Sequence, residues 1–127
     1  MRNADIITIQ QDVIVTNNDL DDILETAGYG IGYWATSMDV TEDITKGGTV
    51  VIELDEPIED GGQTEYEMKK EDLLKGIRMY LQDPQKPYNI LWFNEATCKT
   101  ELETGDVDSV VADMIVQYAL FDEVVFG

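Results

Sequence analysis

The sequence predicts a single acidic α+β domain over residues 1–127, in which about three helices pack on one face of a small antiparallel sheet. Residues 49–68 alternate apolar and polar side chains around a turn-rich connection, which predicts a hairpin at the centre of that sheet. Three further segments carry apolar residues at helical spacing. A chain of 127 residues with 43% hydrophobic content is enough for one core.

A strand and a helix are predicted before the hairpin. Ile6–Thr16 is β-branched and apolar with polar interruptions, which indicates one bent strand or two short ones. Asn17–Asn18 are capping residues, and the apolar spacing after them predicts helix one over about Asp19–Ala27. Gly28–Thr36 mixes glycines with large rings, so either the backbone bends there or the helix continues into it.

Two helices are predicted after the hairpin. Helix two has an apolar face formed by Leu73, Leu74, Ile77 and Leu81 and ends before Pro84. It carries half of the cations, which are Lys69, Lys70, Lys75 and Arg78. Val107–Tyr118 follows helical spacing behind two aspartates that favour a helix N-terminus. Residues 84–105 are too many for a structureless connection, so Ile90–Phe93 is expected to be a strand or packed loop inside the core. Val124–Phe126 is expected to dock as a last short strand.

No catalytic residue, cofactor or metal is predicted, and an enzyme is not expected. Histidine is absent, which excludes the common Ser-His and Cys-His nucleophiles and the usual zinc sites. Cys98 is the single cysteine, and a buried or incidental thiol is favoured over a reactive one. No glycine motif for phosphate is present. The acidic loop 55–60 is interpreted as solvated, with a weak surface cation site as the alternative.

A cytoplasmic location is expected. No apolar run approaches the roughly 18 residues of a membrane span, and Met1–Gln10 lacks a leader pattern. A lone cysteine suits a reducing compartment. Disorder is not expected despite the charge, because aromatic and β-branched residues recur in periodic patterns.

Negative charge is the main functional signal. The chain has 27 acidic and 8 basic residues, a net charge of −19. Residues 1–68 carry 16 acids and 2 bases, a sum of −14; residues 69–82 sum to +2 and residues 83–127 to −7. In a paired hairpin, Glu53 and Asp55 would share a face with Glu65 and Glu67, and like charges opposed across strands cost up to about 1 kcal/mol per pair.

These rows of carboxylates favour an acidic, DNA-mimicking protein that binds and inhibits a basic nucleic-acid-binding protein. Proteins bind DNA largely through Lys and Arg aimed at phosphates, so an acidic surface can occupy the same groove. Direct binding of nucleic acid is not expected, because the charge repels the phosphate backbone. The predicted partner-binding residues are Asp19, Asp22, Glu25, Glu53, Asp55, Glu65 and Glu67.

Two alternatives stay open at this stage. The acids can serve solubility alone, and the sequence favours this interpretation about as much as an interaction role. The chain can instead be a non-enzymatic interaction module whose partner contacts an aromatic surface near Tyr29, Tyr33, Trp34 or Trp92.

Five segments carry a resemblance to known proteins: Asn18-Asp19-Leu20-Asp21-Asp22-Ile23-Leu24, Gly32-Tyr33-Trp34, Lys46-Gly47-Gly48-Thr49, Leu73-Leu74-Lys75-Gly76-Ile77 and Ile115-Val116-Gln117-Tyr118-Ala119-Leu120-Phe121. Through them the chain resembles, over most of its length, a family of small, uncharacterised acidic proteins from conjugative elements and phages of Firmicutes. The family has cysteine after the tryptophan where this chain has Ala35, so any role of that cysteine is absent. The resemblance implies a mobile-element setting and no catalysis. Inhibitors of host defence, of the anti-CRISPR or anti-restriction type, are the relevant analogy.

Overall fold

A computed structural model describes residues 3–127 as three helices and two three-stranded sheets, which confirms the α+β prediction. Met1 and Arg2 lie outside the described part. They belong to Met1–Gln10, for which no leader pattern was predicted. The elements are β1 (Val13–Ile14), α1 (Asn17–Gly30), β2 (Ala35–Val40), β3 (Val50–Leu54), β4 (Glu65–Met68), α2 (Lys70–Gln82), β5 (Leu91–Asn94), β6 (Lys99–Leu102) and α3 (Ser109–Phe121).

The first sheet is antiparallel in the order β2-β3-β4, so the predicted hairpin is confirmed and its first strand is central. Val50, Ile52 and Leu54 are buried and alternate with half-exposed residues, because one face of the strand covers the core. The third strand, β2, was not predicted. The register shifts between Ala35 and Ser37, so the strand lacks the regular alternation of polar and apolar residues by which a strand is predicted.

The second sheet, in the order β1-β6-β5, was not predicted as a unit. The strand expected over Ile6–Thr16 is wrong for most of its length, since only Val13–Ile14 pairs, and it pairs in parallel with β6. Of the two alternatives for Ile90–Phe93, a strand or a packed loop, the structure has a strand at Leu91–Asn94, but core packing holds for Ile90 and not for the rings. Trp92 is 49% exposed and Phe93 56% exposed, because β5 is an edge strand with one ring on each face.

The helices begin and end close to the predicted positions. Helix α1 starts after Thr16, whose hydroxyl accepts from the Asp19 amide, and it continues to Gly30, which was one of the two open alternatives. Helix α3 starts after Asp108, whose carboxylate accepts from the Val111 amide. Seven of its thirteen residues are buried, so α3 is the centre of the core.

The C-terminal residues dock without forming the expected strand. Phe126 stacks on the buried ring of Trp34 with a centroid distance of 5.1 Å and an interplanar angle of 6°. Phe121 meets the same tryptophan edge-on at 5.8 Å. Aromatic packing and side-chain hydrogen bonds therefore hold a segment that lacks a neighbouring strand to pair with.

Helix packing depends on the absence of a side chain at Gly76. A Cβ there would collide with the carbonyl oxygen of Ile115 on α3, whereas a Cβ at Gly28 in α1 would meet Met38 Cε at an ordinary 3.6 Å. Both glycines lie inside helices, where alanine is favoured by about 0.5–1 kcal/mol.

We expect Gly76→Ala to lower the free energy of unfolding by at least about 2 kcal/mol, because α2 and α3 must separate. Gly28→Ala is the matched control and should leave that free energy unchanged or raise it by up to about 1 kcal/mol. Urea unfolding followed by circular dichroism measures both. Equal effects of the two substitutions would contradict the close approach of the helices.

Candidate functional site

The outer face of the first sheet carries a compact group of carboxylates. In the register of the three strands, Ser37, Glu53 and Glu65 form one cross-strand row. Residues 39, 51 and 67 form the next row, so Asp39 and Glu67 flank a valine. The register confirms that Glu53, Glu65 and Glu67 share one face. We call this surface, with Asp55 just beyond β3, the acidic face: Asp39, Glu53, Asp55, Glu65 and Glu67.

The spacing within the acidic face follows from sheet geometry. Neighbouring strands lie about 4.8 Å apart, and residues two apart along a strand are separated by about 6.8 Å. Glu53 and Glu65 are directly opposed. Two unit charges about 5 Å apart repel by roughly 0.8 kcal/mol in water. Within residues 3–127 the single salt bridge is Lys75–Asp122, so no ion pair neutralises this face.

Two carboxylates of the acidic face are held in place by hydroxyl groups. Thr64 Oγ1 donates to Glu53 Oε1 at 2.7 Å, and Thr36 Oγ1 donates to Asp55 Oδ1, also at 2.7 Å. Thr36 is placed for this contact by the register shift in β2. These neutral donors orient the two carboxylates and leave their charge in place.

The acids of α1 do not join the acidic face. Asp19 accepts from the Thr16 amide at 2.8 Å and completes a capping box, so it serves the helix start. Asp22 Oδ2 accepts from Thr104 Oγ1 at 3.0 Å. Glu25 borders a groove with Met38, whose side chain belongs to the inner face of the first sheet. The seven predicted partner-binding residues are therefore divided between two surfaces.

The predicted aromatic surface is also divided. Trp34 is 3% exposed and belongs to the core, so the prediction that it contributes to an aromatic contact surface is wrong. Tyr29 is 84% exposed on α1, while Trp92 is half-exposed on the second sheet. The half-exposed ring of Tyr33 points its hydroxyl inward to Asp113.

A buried polar network around Asp113 was missed in the sequence. Trp34 Nε1 donates to Asp113 Oδ1 at 2.7 Å, and the Tyr33 hydroxyl donates to Oδ2 at 2.6 Å. Gln117 Nε2 donates to the same carboxylate at 2.9 Å, while Gln117 Oε1 accepts from the amides of Val125 and Phe126. The network ties the turn after α1 and the C-terminal residues to α3. Its signal in the sequence was an acid and an amide four residues apart in an otherwise apolar helix.

Three tyrosines have a raised pKa, and one of them, Tyr33, belongs to this network. Partial burial, followed by the hydrogen bond to Asp113 and the negative charge of that carboxylate, raises the pKa of Tyr33 to about 12. Burial and the Asp83 carboxylate raise the pKa of Tyr118 to about 12. Burial also raises the pKa of Tyr80. In each case the protonated phenol is favoured by the folded state.

The placement of the acids and of Cys98 bears on metal and thiol chemistry, and Cys98 is not buried, although burial was one of the two alternatives favoured for it. Within residues 3–127 no three acidic or thiol side chains are grouped closely enough to hold a metal ion. Cys98 is exposed, in the turn between β5 and β6, with a positive φ of 56°. None of the helices in the described part is long and apolar enough to cross a membrane.

The acidic face also contains a residue that was not among the predicted contacts. Asp39 joins it because β2 pairs with β3 and places Asp39 opposite Val51. The only sequence signal was its continuation of the acidic run after α1.

No protein-family model, curated protein or solved structure matches the chain, so the site is interpreted from its geometry.

Alkaline titration tests the Asp113 network. A folded-state pKa of about 12 lies above the ordinary value of 10, so Tyr33 stabilises the fold below pH 10 and loses that contribution as the pH rises towards 12. We expect Tyr33→Phe to remove one phenol from the group that ionises near pH 12 in ultraviolet absorbance. Tyr118→Phe should also remove one such phenol, but it leaves the Asp113 network intact because the Tyr118 hydroxyl donates to Asp83. An unchanged number of late-ionising phenols in either variant would contradict the assignment.

The opposed charges on the acidic face should be measurable as a stability cost. We expect Glu65→Gln to raise the free energy of unfolding by about 0.2–1 kcal/mol at low salt, because it removes the charge opposite Glu53. The gain should disappear near 1 M salt, where the screening length is about 3 Å. Glu67→Gln is the control on the same strand, since Glu67 faces Val51, and its gain should be smaller. An equal gain from both variants would mean that overall charge decides stability.

Proposed function

We propose that this protein is a non-enzymatic acidic inhibitor that binds, through the acidic face, the basic surface of a nucleic-acid-binding protein. The sequence resemblance implies a mobile-element setting. The expected partner is therefore a host-defence protein of the kind that anti-CRISPR or anti-restriction proteins inhibit. The observation that carries the proposal is the directly opposed pair Glu53 and Glu65, within five carboxylates on one sheet face without an ion pair among the described residues.

The arrangement is favourable for imitating a phosphate backbone. Four of the five carboxylates are on strands, and Glu53 and Asp55 are oriented by threonine hydroxyls, so these two lose little side-chain freedom on binding. Their separations of roughly 5–7 Å are in the range that a row of Lys and Arg side chains contacts on DNA. A basic partner would also relieve the repulsion between Glu53 and Glu65.

Solubility alone does not require this arrangement. Scattered acids on loops and helix surfaces keep a protein dispersed equally well, and they avoid like charges across paired strands. The acids of α1 and of the loop at 56–60 already provide that effect. A concentrated group of oriented carboxylates on one face of a β-sheet is better explained by contact with a partner protein.

The test compares two variants that each remove four negative charges. The face variant is Glu53→Gln, Asp55→Asn, Glu65→Gln and Glu67→Gln. We expect it to lose at least tenfold in affinity for the captured basic protein and to stop competing with labelled duplex DNA for that protein. The matched control is Asp21→Asn, Asp22→Asn, Glu25→Gln and Glu42→Gln, and we expect less than a twofold change.

Capture uses immobilised protein and a nuclease-treated host lysate at about 0.1 M and 0.5 M salt. Binding by the acidic face should fall steeply with salt, because ion pairs are screened. Equal losses in the face variant and the control would leave only bulk charge as the cause. Binding that survives high salt and the face variant would overturn the proposal.

A second candidate is favoured by one observation on the other sheet. Trp92 is 49% exposed on the same face of the second sheet as Ile14, which is 37% exposed. An interaction module using this surface would bind with little salt dependence. Loss of capture in Trp92→Ala, with the face variant unaffected, would support this function in place of the first.

A further inference from the structure

The N-terminal segment of the described chain has three highly exposed isoleucines close together. Ile6, Ile7 and Ile9 are 91%, 86% and 78% exposed. Residues 3–12 form no helix or strand, and residues 6–11 carry no charge. An exposed, β-branched and uncharged segment of this kind is suited to pairing with another surface.

An apolar groove lies where this segment ends. It has a volume of about 740 Å³ and separates α2 from residues 11–15 and β5. Its apolar walls are Val13, Val15, Leu74, Ile77, Leu81 and Leu91. The groove and the exposed isoleucines are therefore adjacent, and the chain itself joins them.

We propose that the groove binds residues 5–10 of a second copy of this chain, so that two copies exchange their N-terminal segments. Such an exchange is reciprocal and closes as a two-fold dimer. It is independent of the proposed inhibitor function, because the acidic face is on the other sheet.

One cation in the groove is available to the exchanged segment. The charged lining residues are Asp12, Glu71, Asp72, Lys75 and Arg78, and Lys75 pairs with Asp122. Arg78 lines the groove and has no salt bridge within residues 3–127. Asp5 directly precedes the isoleucines and supplies the complementary charge.

The dimensions also fit. Six extended residues, 5–10, reach about 20 Å, which matches the roughly 20 Å length of a helix the size of α2. An unfolded chain exposes about 1.45 Å² per dalton, so six residues expose roughly 1,000 Å². Burying half of both exchanged segments removes roughly 1,000 Å², and the groove surface that they cover brings the total into the range of a standard interface, about 1,200–2,000 Å².

Sedimentation velocity of the full chain, without an N-terminal tag, tests the proposal. At micromolar concentration we expect a mass of twice 14.3 kDa. Ile6→Ser combined with Ile7→Ser and Ile9→Ser should give a folded monomer, because these side chains are outside the core. Leu74→Asp should also give a monomer by changing the groove, with folding checked by circular dichroism.

Two further variants make the result specific. Arg78→Asp should weaken dimerisation at least tenfold, and adding Asp5→Arg to it should restore the dimer. Val110→Ser is the control, since Val110 is 54% exposed on α3 and does not line the groove, and it should remain dimeric.

Three outcomes would overturn the proposal. A monomeric wild-type chain at all concentrations would mean that the segment remains free or occupies its own groove. A dimer that survives the triple isoleucine variant would place the interface elsewhere. A monomer from the isoleucine variant together with an intact dimer from Leu74→Asp would show that the segments pair with each other outside the groove.

Discussion

The fold depends on covering α3, a helix with apolar residues around most of its circumference. Val111, Ile115 and Val116 are fully buried, and α1, α2 and β4 all contact this helix. Within α3 the only charged residue is Asp113. Because α3 and its neighbours fill the core with apolar side chains, most acids of this chain of net charge −19 lie on surfaces that face away from α3. The acidic face is one of those surfaces, on the side of the first sheet opposite Val50, Ile52 and Leu54.

The two polar residues in the buried part of α3 give the core its specificity. Asp113 is surrounded by the hydrogen-bond donors of Tyr33, Trp34 and Gln117, and within the described chain no buried side-chain polar atom lacks a partner. Removing one member would leave the others without partners in a low-dielectric environment, which is costly. A network of this kind fixes the turn after α1 in one position. It therefore also fixes where β2 begins and which of its residues reach the outer face.

Local patterns were enough to predict the elements whose residues face only one core. The hairpin alternates cleanly, and α2 and α3 have continuous apolar faces, so they were predicted. Strand β2 was missed because the register shift at Thr36 interrupts its alternation. For Ile6–Thr16, composition indicated a strand, but strand formation requires a neighbour, and only Val13–Ile14 has one. The division of the acidic residues between two surfaces depends on how α1 packs, which no local pattern records.

The parallel pairing of β1 with β6 has a consequence for how the chain is made. Gln11 donates to Thr100 across 89 positions of sequence. During synthesis β1 has no strand to pair with until Lys99–Leu102 has also been made. Non-local pairings of this kind form slowly and leave apolar segments exposed in the meantime. Residues 15–68, which follow β1, carry 14 acids and one base, so charge repulsion opposes association between chains in which this pairing has not yet formed.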